Sequence, residues 1–440
     1  MCWSEVMLLG SLKSWAQRHL IVGFVVGVLL VLLTYLVVSQ QFAISAPNGN
    51  EAFLSPHHDS IAKGKVVCNS ESLYSNACEV DGDVRTNGTA LSVAVVPTGS
   101  SEHLEWRIRP YARRTASSIK EVTVTQLSDR DATPPCTVRH TTPAVLFALG
   151  GHAGNYWHAF CDVLVPLFVV LFLVTNIQPW WLVKYATAVR ALSKYDAVDM
   201  DGDAEVRCFP HVTVGLRIDK LFTIVPEMAP GPGGRRLTMA DFTAFLREAY
   251  ALPRGAPVSL TRQTPAGKKP RLLLMRRGHN RRFVNEEEIA RAAEAAGFEA
   301  AAVELPRYGR VDKQAPVVNA FDVLMGVHGA GLTHAVFLPT GGVLIQVEPY
   351  GKMEGIARAE FGEPATDMGL KYLEYSVTAE ESTLMETLGP YHPAIRDPDS
   401  VHGSGWEKVN EFYLQKQDVR INVTCLAPIL AQAFDHFRQQ

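Results

Sequence analysis

RLLLMRRGHNRRFVNEEEIARAAEAAGFEAAAVEL, residues Arg271–Leu305, carries two periodicities in one stretch. Leu272–Met275 is a short apolar run bounded by charge, as a buried strand requires. Asn285 stands where a helix cap belongs, and Glu288 three residues on completes a capping box. Ile289, Ala292, Ala293 and Ala296 then recur at i, i+3, i+4 and i+7, and Gly297 closes the helix. Ala300–Leu305 is the next strand, and Val323–Val327 and Val343–Val347 are further apolar runs. Strands alternating with helices in this way build a parallel sheet covered on both faces. Ligands of such sheets bind at the carboxyl ends of the strands. The residues just past each run are therefore the candidates for a site.

After Val323–Val327 the chain reads GVHGAGL (Gly326–Leu332) and continues Thr333-His334. Gly329 and Gly331 permit positive φ and close backbone approach. Free N–H groups at a helix start suit a phosphate or pyrophosphate, and His328 could donate to one of its oxygens. The alternative is a tight strand-to-helix turn without a ligand. The order G-x-x-G-x-G differs from the dinucleotide fingerprint G-x-G-x-x-G, so NAD is not expected. Arg276-Arg277 follow the first strand directly, and Arg281-Arg282 come soon after. Guanidinium groups match phosphate oxygens. The first pair is expected in the crevice and the second in solvent.

Upstream, Glu121–Gln126 reads as a strand, and Ala144–Leu149 as another, followed by a turn at Gly150-Gly151. A long helix then starts near Asn155. In GGHAGNYWHAFCD (Gly150–Asp162), His158 and Asp162 are four apart and share one helical face. Such a pair can form a base with its orienting partner. The alternative is a core histidine beside an aspartate that supports the helix start. Val163–Val174 (VLVPLFVVLFLV) is too short to span a membrane and is interrupted by Pro166, so a buried core helix is expected. At Asp199, Asp201 and Asp203 the EF-hand pattern fails at Ala204; a polar turn is expected, with a D-x-D metal site as the alternative. Ala251–Lys269, rich in Pro, Gly and basic residues, reads as a linker that divides the folded part near residue 255.

The 440 residues suffice for about two domains, and a net charge of -3 gives no reason to expect nucleic acid. Leu20–Val38 carries no charge and, at about 1.5 Å per residue, matches a bilayer core of about 30 Å. Lys13 and Arg18 precede it, so the tail 1–19 is expected in the cytosol and everything after the anchor 20–38 across the membrane. Residues 39–66 read as a stem. Cys68, Cys78, Cys136, Cys161, Cys208 and Cys425 all fall on the oxidising side, and Cys68–Cys78 is the expected local bridge. The sequons at Asn87 and Asn422 lie there too.

Together these segments resemble glycosyltransferase family 61, especially its plant members that decorate xylan. The resemblance covers most of residues 67–440. It is carried by VCNSESLYSNACEVDGDVRT (Val67–Thr86), GGHAGNYWHAFCDVLVPLF (Gly150–Phe168) and CFPHVTVGL (Cys208–Leu216), then by RLLLMRRGHNRRFVNEEE (Arg271–Glu288), GVHGAGLTHAVFLPTGGVLIQVEPYG (Gly326–Gly351) and FGEPATDMGLKYLEY (Phe361–Tyr375). It implies an α/β fold of the GT-B type: two Rossmann-like domains facing a cleft, behind one N-terminal transmembrane helix and a stem. The domains would be 67–255 on the acceptor side and 256–420 for the nucleotide sugar, with 421–440 as a helix packing back on the first.

The implied activity is inverting transfer of a pentose, arabinofuranose first and xylose as the alternative, from a UDP-sugar to xylan in the Golgi. The implied donor site is Arg276, Arg277, His328, Gly329, Ala330, Gly331, Thr333, Gln346 and Glu348, and the acceptor side holds His158 and Asp162. Trp157-His158 and Cys161-Asp162 stand where Phe-His and Asn-Asp are common. No cofactor or catalytic metal is implied, and a homo-oligomer or association with other Golgi glycosyltransferases stays open. A lumenal esterase would need a G-x-S-x-G elbow, which the sequence lacks. A glycan-binding subunit without activity is the remaining rival.

Overall fold

The computed structural model describes residues 63–439, apart from 70, 71, 100, 131, 132, 168–170, 232, 233 and 261–267. The segments expected to be a cytosolic tail (1–19) and an anchor (Leu20–Val38), and nearly all of the expected stem, lie outside the described residues. Among the described residues, no helix is long and apolar enough to cross a membrane.

The fold is mixed α/β, with two sheets. The first is ten-stranded: β1 Lys65–Asn69, β2 Ala77–Asn87, β3 Ser92–Val96, β4 Leu104–Ile108, β5 Val122–Gln126, β6 Val138–Arg139, β7 Ala144–Ala148, β8 Leu171–Thr175, β9 Val198–Asp199 and β10 Val206–Val214. Its main path runs β4-β5-β3-β2-β10-β7-β8-β9. The β10, β7, β8 and β9 portion is parallel, and β10 meets β2 antiparallel. The register sets Cys68 directly opposite Cys78, and their sulfurs are bonded. A second bridge, Cys136–Cys208, ties the approach to β6 onto β10, while Cys161 and Cys425 are free. Closing a loop of separation 72 restricts the unfolded chain by about 4 kcal/mol on a chain-entropy account, against about 3 for the local bridge. The double change Cys136→Ala with Cys208→Ala is therefore expected to lower Tm more than Cys68→Ala with Cys78→Ala, as thermal unfolding will measure.

The second sheet is five-stranded: β11 Arg271–Arg276, β12 Glu299–Glu304, β13 Val323–Val327, β14 Val343–Glu348 and β15 Lys371–Ser376, in the order β12-β11-β13-β14-β15. All its pairings are parallel. Side chains alternate between faces along each strand. Leu272, Leu274, Val323 and Val343 share one apolar face with Ile289, Ala293, Leu426 and Leu430. Leu273, Met275, Leu324 and Leu344 point the other way, into a core continuous with Tyr156, Phe160 and Trp181 of the first half.

Three expectations are corrected here. The run Val163–Val174 is not one helix. Its start finishes a π-helical stretch, Ala159–Leu164, and its end is β8, which pairs with β7 and β9. Pro166 cannot supply a helix-interior N–H, and the apolar LFLV that follows fits a central strand. Asn285 does not cap with its side chain; instead its amide ties Glu288 to the backbone of Ile421, through both N–H and C=O. The terminal helix Val423–Gln439 packs not on the first half but on the five-stranded sheet, burying Leu426, Leu430, Ala433 and Phe437. These residues form an i, i+4, i+7, i+11 stripe, and a parallel sheet needs an apolar cover on each face.

Asp201 is occupied structurally: it accepts from Thr175 Oγ1, the Asn176 N–H and Lys120, while Asp203 holds Arg207. Asn422 is exposed at the start of the terminal helix, its Oδ1 accepting from the Thr424 N–H. Asn87 ends β2, and its Oδ1 accepts from the Ala90 N–H.

Candidate active site

All of β13 is buried, and the chain leaves it through His328 into Gly329, at φ 138 and ψ 179. That backbone is open to glycine and almost closed to other residues. Space makes the same demand: a Cβ at Gly329 would lie 2.7 Å from Arg281 Nη1 and 3.2 Å from Arg277 Nη1. Both guanidinium groups thus come down onto the glycine turn. Arg277 Nε donates to the Asn280 carbonyl at 2.9 Å, and Arg281 Nη1 to the His328 carbonyl at 2.7 Å. Arg281 Nε is buried without a partner. Asn280 and Arg281 themselves take positive φ, 45° and 58°. Asn adopts that conformation readily and Arg seldom does; here it turns the Arg281 side chain inward. Burial, with the neighbouring Arg277 charge, pulls the Arg281 pKa down to about 9. Neither arginine forms an ion pair among the described residues, so the two cations face one another in an arrangement that a bound anion would stabilise.

The inward pair is therefore Arg277 and Arg281, not Arg276 and Arg277. Arg276, on the opposite face of the strand end, is half exposed and grips both oxygens of Glu286. Adjacent strand residues point to opposite faces, so Arg276 and Arg277 cannot both enter the crevice. Arg282 likewise faces outward, paired with Asp418 at 2.7 Å.

The other expected donor groups lie around this turn. Gln346 meets His328 Nδ1 at 3.0 Å. Ala330 and Gly331 open the 3-10 helix Ala330–Phe337, and the Gly331 carbonyl accepts from His334 Nδ1 at 2.9 Å. Thr333 and Glu348 are fully buried, with Thr333 Oγ1 and Glu348 Oε1 unpartnered. Burial raises the Glu348 pKa against the hydrogen bond from Ser376.

In the first half, Asn155 caps a short helix, Tyr156–His158, by accepting from the Trp157 N–H. The helix continues in π form, and His158 Nδ1 reaches Asp162 Oδ2 at 2.8 Å. The same oxygen accepts from Tyr111 Oη at 2.9 Å and Arg113 Nε at 2.8 Å. Burial pushes the Asp162 pKa up, but the hydrogen bonds from His158 and Arg113 outweigh it and hold the carboxyl below its usual range. Asp162 has 0% of its side chain exposed and His158 21%. The aspartate therefore cannot meet a substrate, whereas the imidazole can. An Nδ1–H donated to Asp162 leaves Nε2 as an acceptor.

Tyr111 and Arg113 carry no sequence signal. They lie in an irregular stretch and reach Asp162 only through folding. The two sides share a floor: Tyr156 stacks on His334 at 4.4 Å, and Phe160 meets Phe337 edge-on at 6.0 Å. His334 is thus a core histidine, its pKa lowered to about 4 by burial.

The family model described as Glycosyltransferase 61 matches residues 156–345. A beta-1,2-xylosyltransferase of Oryza sativa subsp. japonica is 40% identical over 399 residues, covering 84% of this chain and 84% of that protein. An alpha-1,3-arabinosyltransferase of the same plant is 40% identical over 385 residues, covering 84% of this chain and 65% of the relative. A xylan glycosyltransferase of Arabidopsis thaliana is 30% identical over 394 residues, covering 84% and 79%.

Proposed function

The chain belongs to the glycosyltransferase 61 family and is a glycosyltransferase; from that premise we propose that it transfers a pentose from a UDP-sugar to xylan, with arabinofuranose as the first donor to test. The observation that carries this reading is the pairing of Arg277 and Arg281 over Gly329 without a carboxylate partner; the part-exposed His158 of the first half is the base it is read with.

In this mechanism the two guanidinium groups and the N–H groups after Gly329 hold the diphosphate. They neutralise the charge that grows on it as the glycosidic C–O bond breaks. An acceptor hydroxyl attacks the anomeric carbon from the opposite face, inverting it. His158 Nε2 takes the hydroxyl proton, and Asp162 keeps the required tautomer and stabilises the imidazolium. UDP leaves with the bond electrons. The parallel strand ends on either side of the cleft support a two-domain GT-B reading, with 67–255 and 256–420 as the domains. The disulfides support a lumenal setting behind an N-terminal Golgi anchor.

Purified protein should release UDP from UDP-arabinofuranose when xylo-oligosaccharide is present. The long match to a beta-1,2-xylosyltransferase favours xylose as the second candidate, and release from UDP-xylose alone would select it. No release from either sugar would sink the pentosyl reading. Gly329→Ala should cost about 1–3 kcal/mol through its backbone conformation and displace Arg281. A lower Tm, with loss of the Tm increase that UDP produces, is the expected result.

A further inference from the structure

The sugar to be transferred has to sit between the arginine pair and His158, and one acidic side chain stands at that crossing. Glu360 lies in a π-helical stretch, Arg358–Gly362, beyond β14. Its backbone carbonyl accepts from Trp157 Nε1 at 3.4 Å, next to His158 in the chain. Its carboxylate Oε2 is 3.6 Å from His328 Nε2, beyond hydrogen-bond range, with 26% of the side chain exposed. No hydrogen bond to this carboxylate forms among the described residues. Two guanidinium groups flank it without touching: Arg113, which holds Asp162, and Arg281, which overlies the glycine turn. Burial lifts its pKa to about 7 in spite of both.

His328 does not compete for this role. Gln346 meets its Nδ1 and Phe361 packs edge-on against the ring at 5.7 Å. Burial, then the charges of Arg281 and Arg277, lower its pKa to about 3, so the ring is neutral. With Nδ1 taken by the Gln346 amide, the proton is on Nε2, the nitrogen nearer the Glu360 carboxylate.

We propose that Glu360 binds the transferred sugar, accepting hydrogen bonds from its hydroxyl groups and so holding the anomeric carbon between the diphosphate and His158. This rests on the nucleotide-sugar reading of the cleft. A carboxylate repels phosphate, so its ligand here is neutral. In its ionised form, favoured above a pKa of about 7, the carboxylate offers only acceptors, and adjacent sugar hydroxyls supply paired donors. Its element belongs to the half that carries the arginines, which assigns it to the donor sugar and not to the acceptor chain.

The test uses the full chain, with UDP, UDP-arabinofuranose and UDP-xylose titrated calorimetrically into wild type, Glu360→Gln and Glu360→Ala in the absence of acceptor. Transfer kinetics are measured alongside. UDP affinity and Tm of Glu360→Gln should stay near wild type. Its affinity for the preferred UDP-sugar and its kcat/KM should fall by about tenfold or more, as for hydrogen bonds to a charged group. Equal UDP-sugar binding and transfer by wild type and Glu360→Gln would overturn the proposal. So would a parallel loss of UDP and UDP-sugar affinity, which would mean that Glu360 acts through the arginines. A wild type that binds no UDP would instead overturn the reading beneath it, and the wild-type titration alone reveals that.

Discussion

Arg281→Ala should weaken UDP binding by about 2 kcal/mol, roughly 30-fold, while Arg276→Ala should leave it nearly unchanged. The contrast follows from direction, not from charge. Arg281 donates to the His328 carbonyl and lies within reach of any ligand on the Gly329 turn, whereas Arg276 is neutralised by Glu286 on the far face. Part of the loss will be offset, because removing Arg281 also removes its repulsion with Arg277. Calorimetric titration of UDP into both variants measures the difference. Equal weakening by the two would mean that the cleft holds the nucleotide elsewhere.

Asp162→Asn should reduce kcat by a factor on the order of 10³ with little change in UDP affinity. The carboxylate is the common acceptor for His158, Arg113 and Tyr111. An amide in its place offers one acceptor oxygen and an NH2 group. All three donors meet Oδ2, so an amide oxygen left there is a neutral acceptor that no longer stabilises the imidazolium, while an NH2 there faces His158 Nδ1, shifts the imidazole proton to Nε2 and removes the base. The variant also leaves Arg113 without its counter-charge in a largely buried place, a change that costs about 3–5 kcal/mol where such a pair is broken. Tm should fall accordingly, so UDP affinity serves as the check that the cleft is intact. His158→Ala should match the kcat loss without stranding Arg113. A fully active Asp162→Asn would remove His158 from the role of base.

Chain periodicity alone determined the parallel core of the second half. Four of its strands, from β11 to β14, fall within a residue or so of the apolar runs that announce them; in β11, β13 and β14 burial on both faces writes a continuous apolar signature, and the edge strand β12 keeps a weaker one. The glycine turn and the four-residue spacing of His158 and Asp162 were legible for the same reason: each depends on neighbours only a few residues away. The strand β15 carries a mixed run, KYLEYS, and was not legible.

Tertiary structure alone decided which charges face the cleft. Strand alternation permits either Arg276 or Arg277 to enter, and only the left-handed backbone at Asn280 and Arg281 brings in the second guanidinium. Tyr111 and Arg113 meet Asp162 across about fifty residues, and Glu360 meets His328 from a different element. The terminal helix shows the same division. Its apolar stripe was readable, but which sheet it covers depended on which face remained open once the rest had packed. Local spacing fixes where a side chain stands on its own element; what it confronts is set by surfaces assembled from distant parts of the chain.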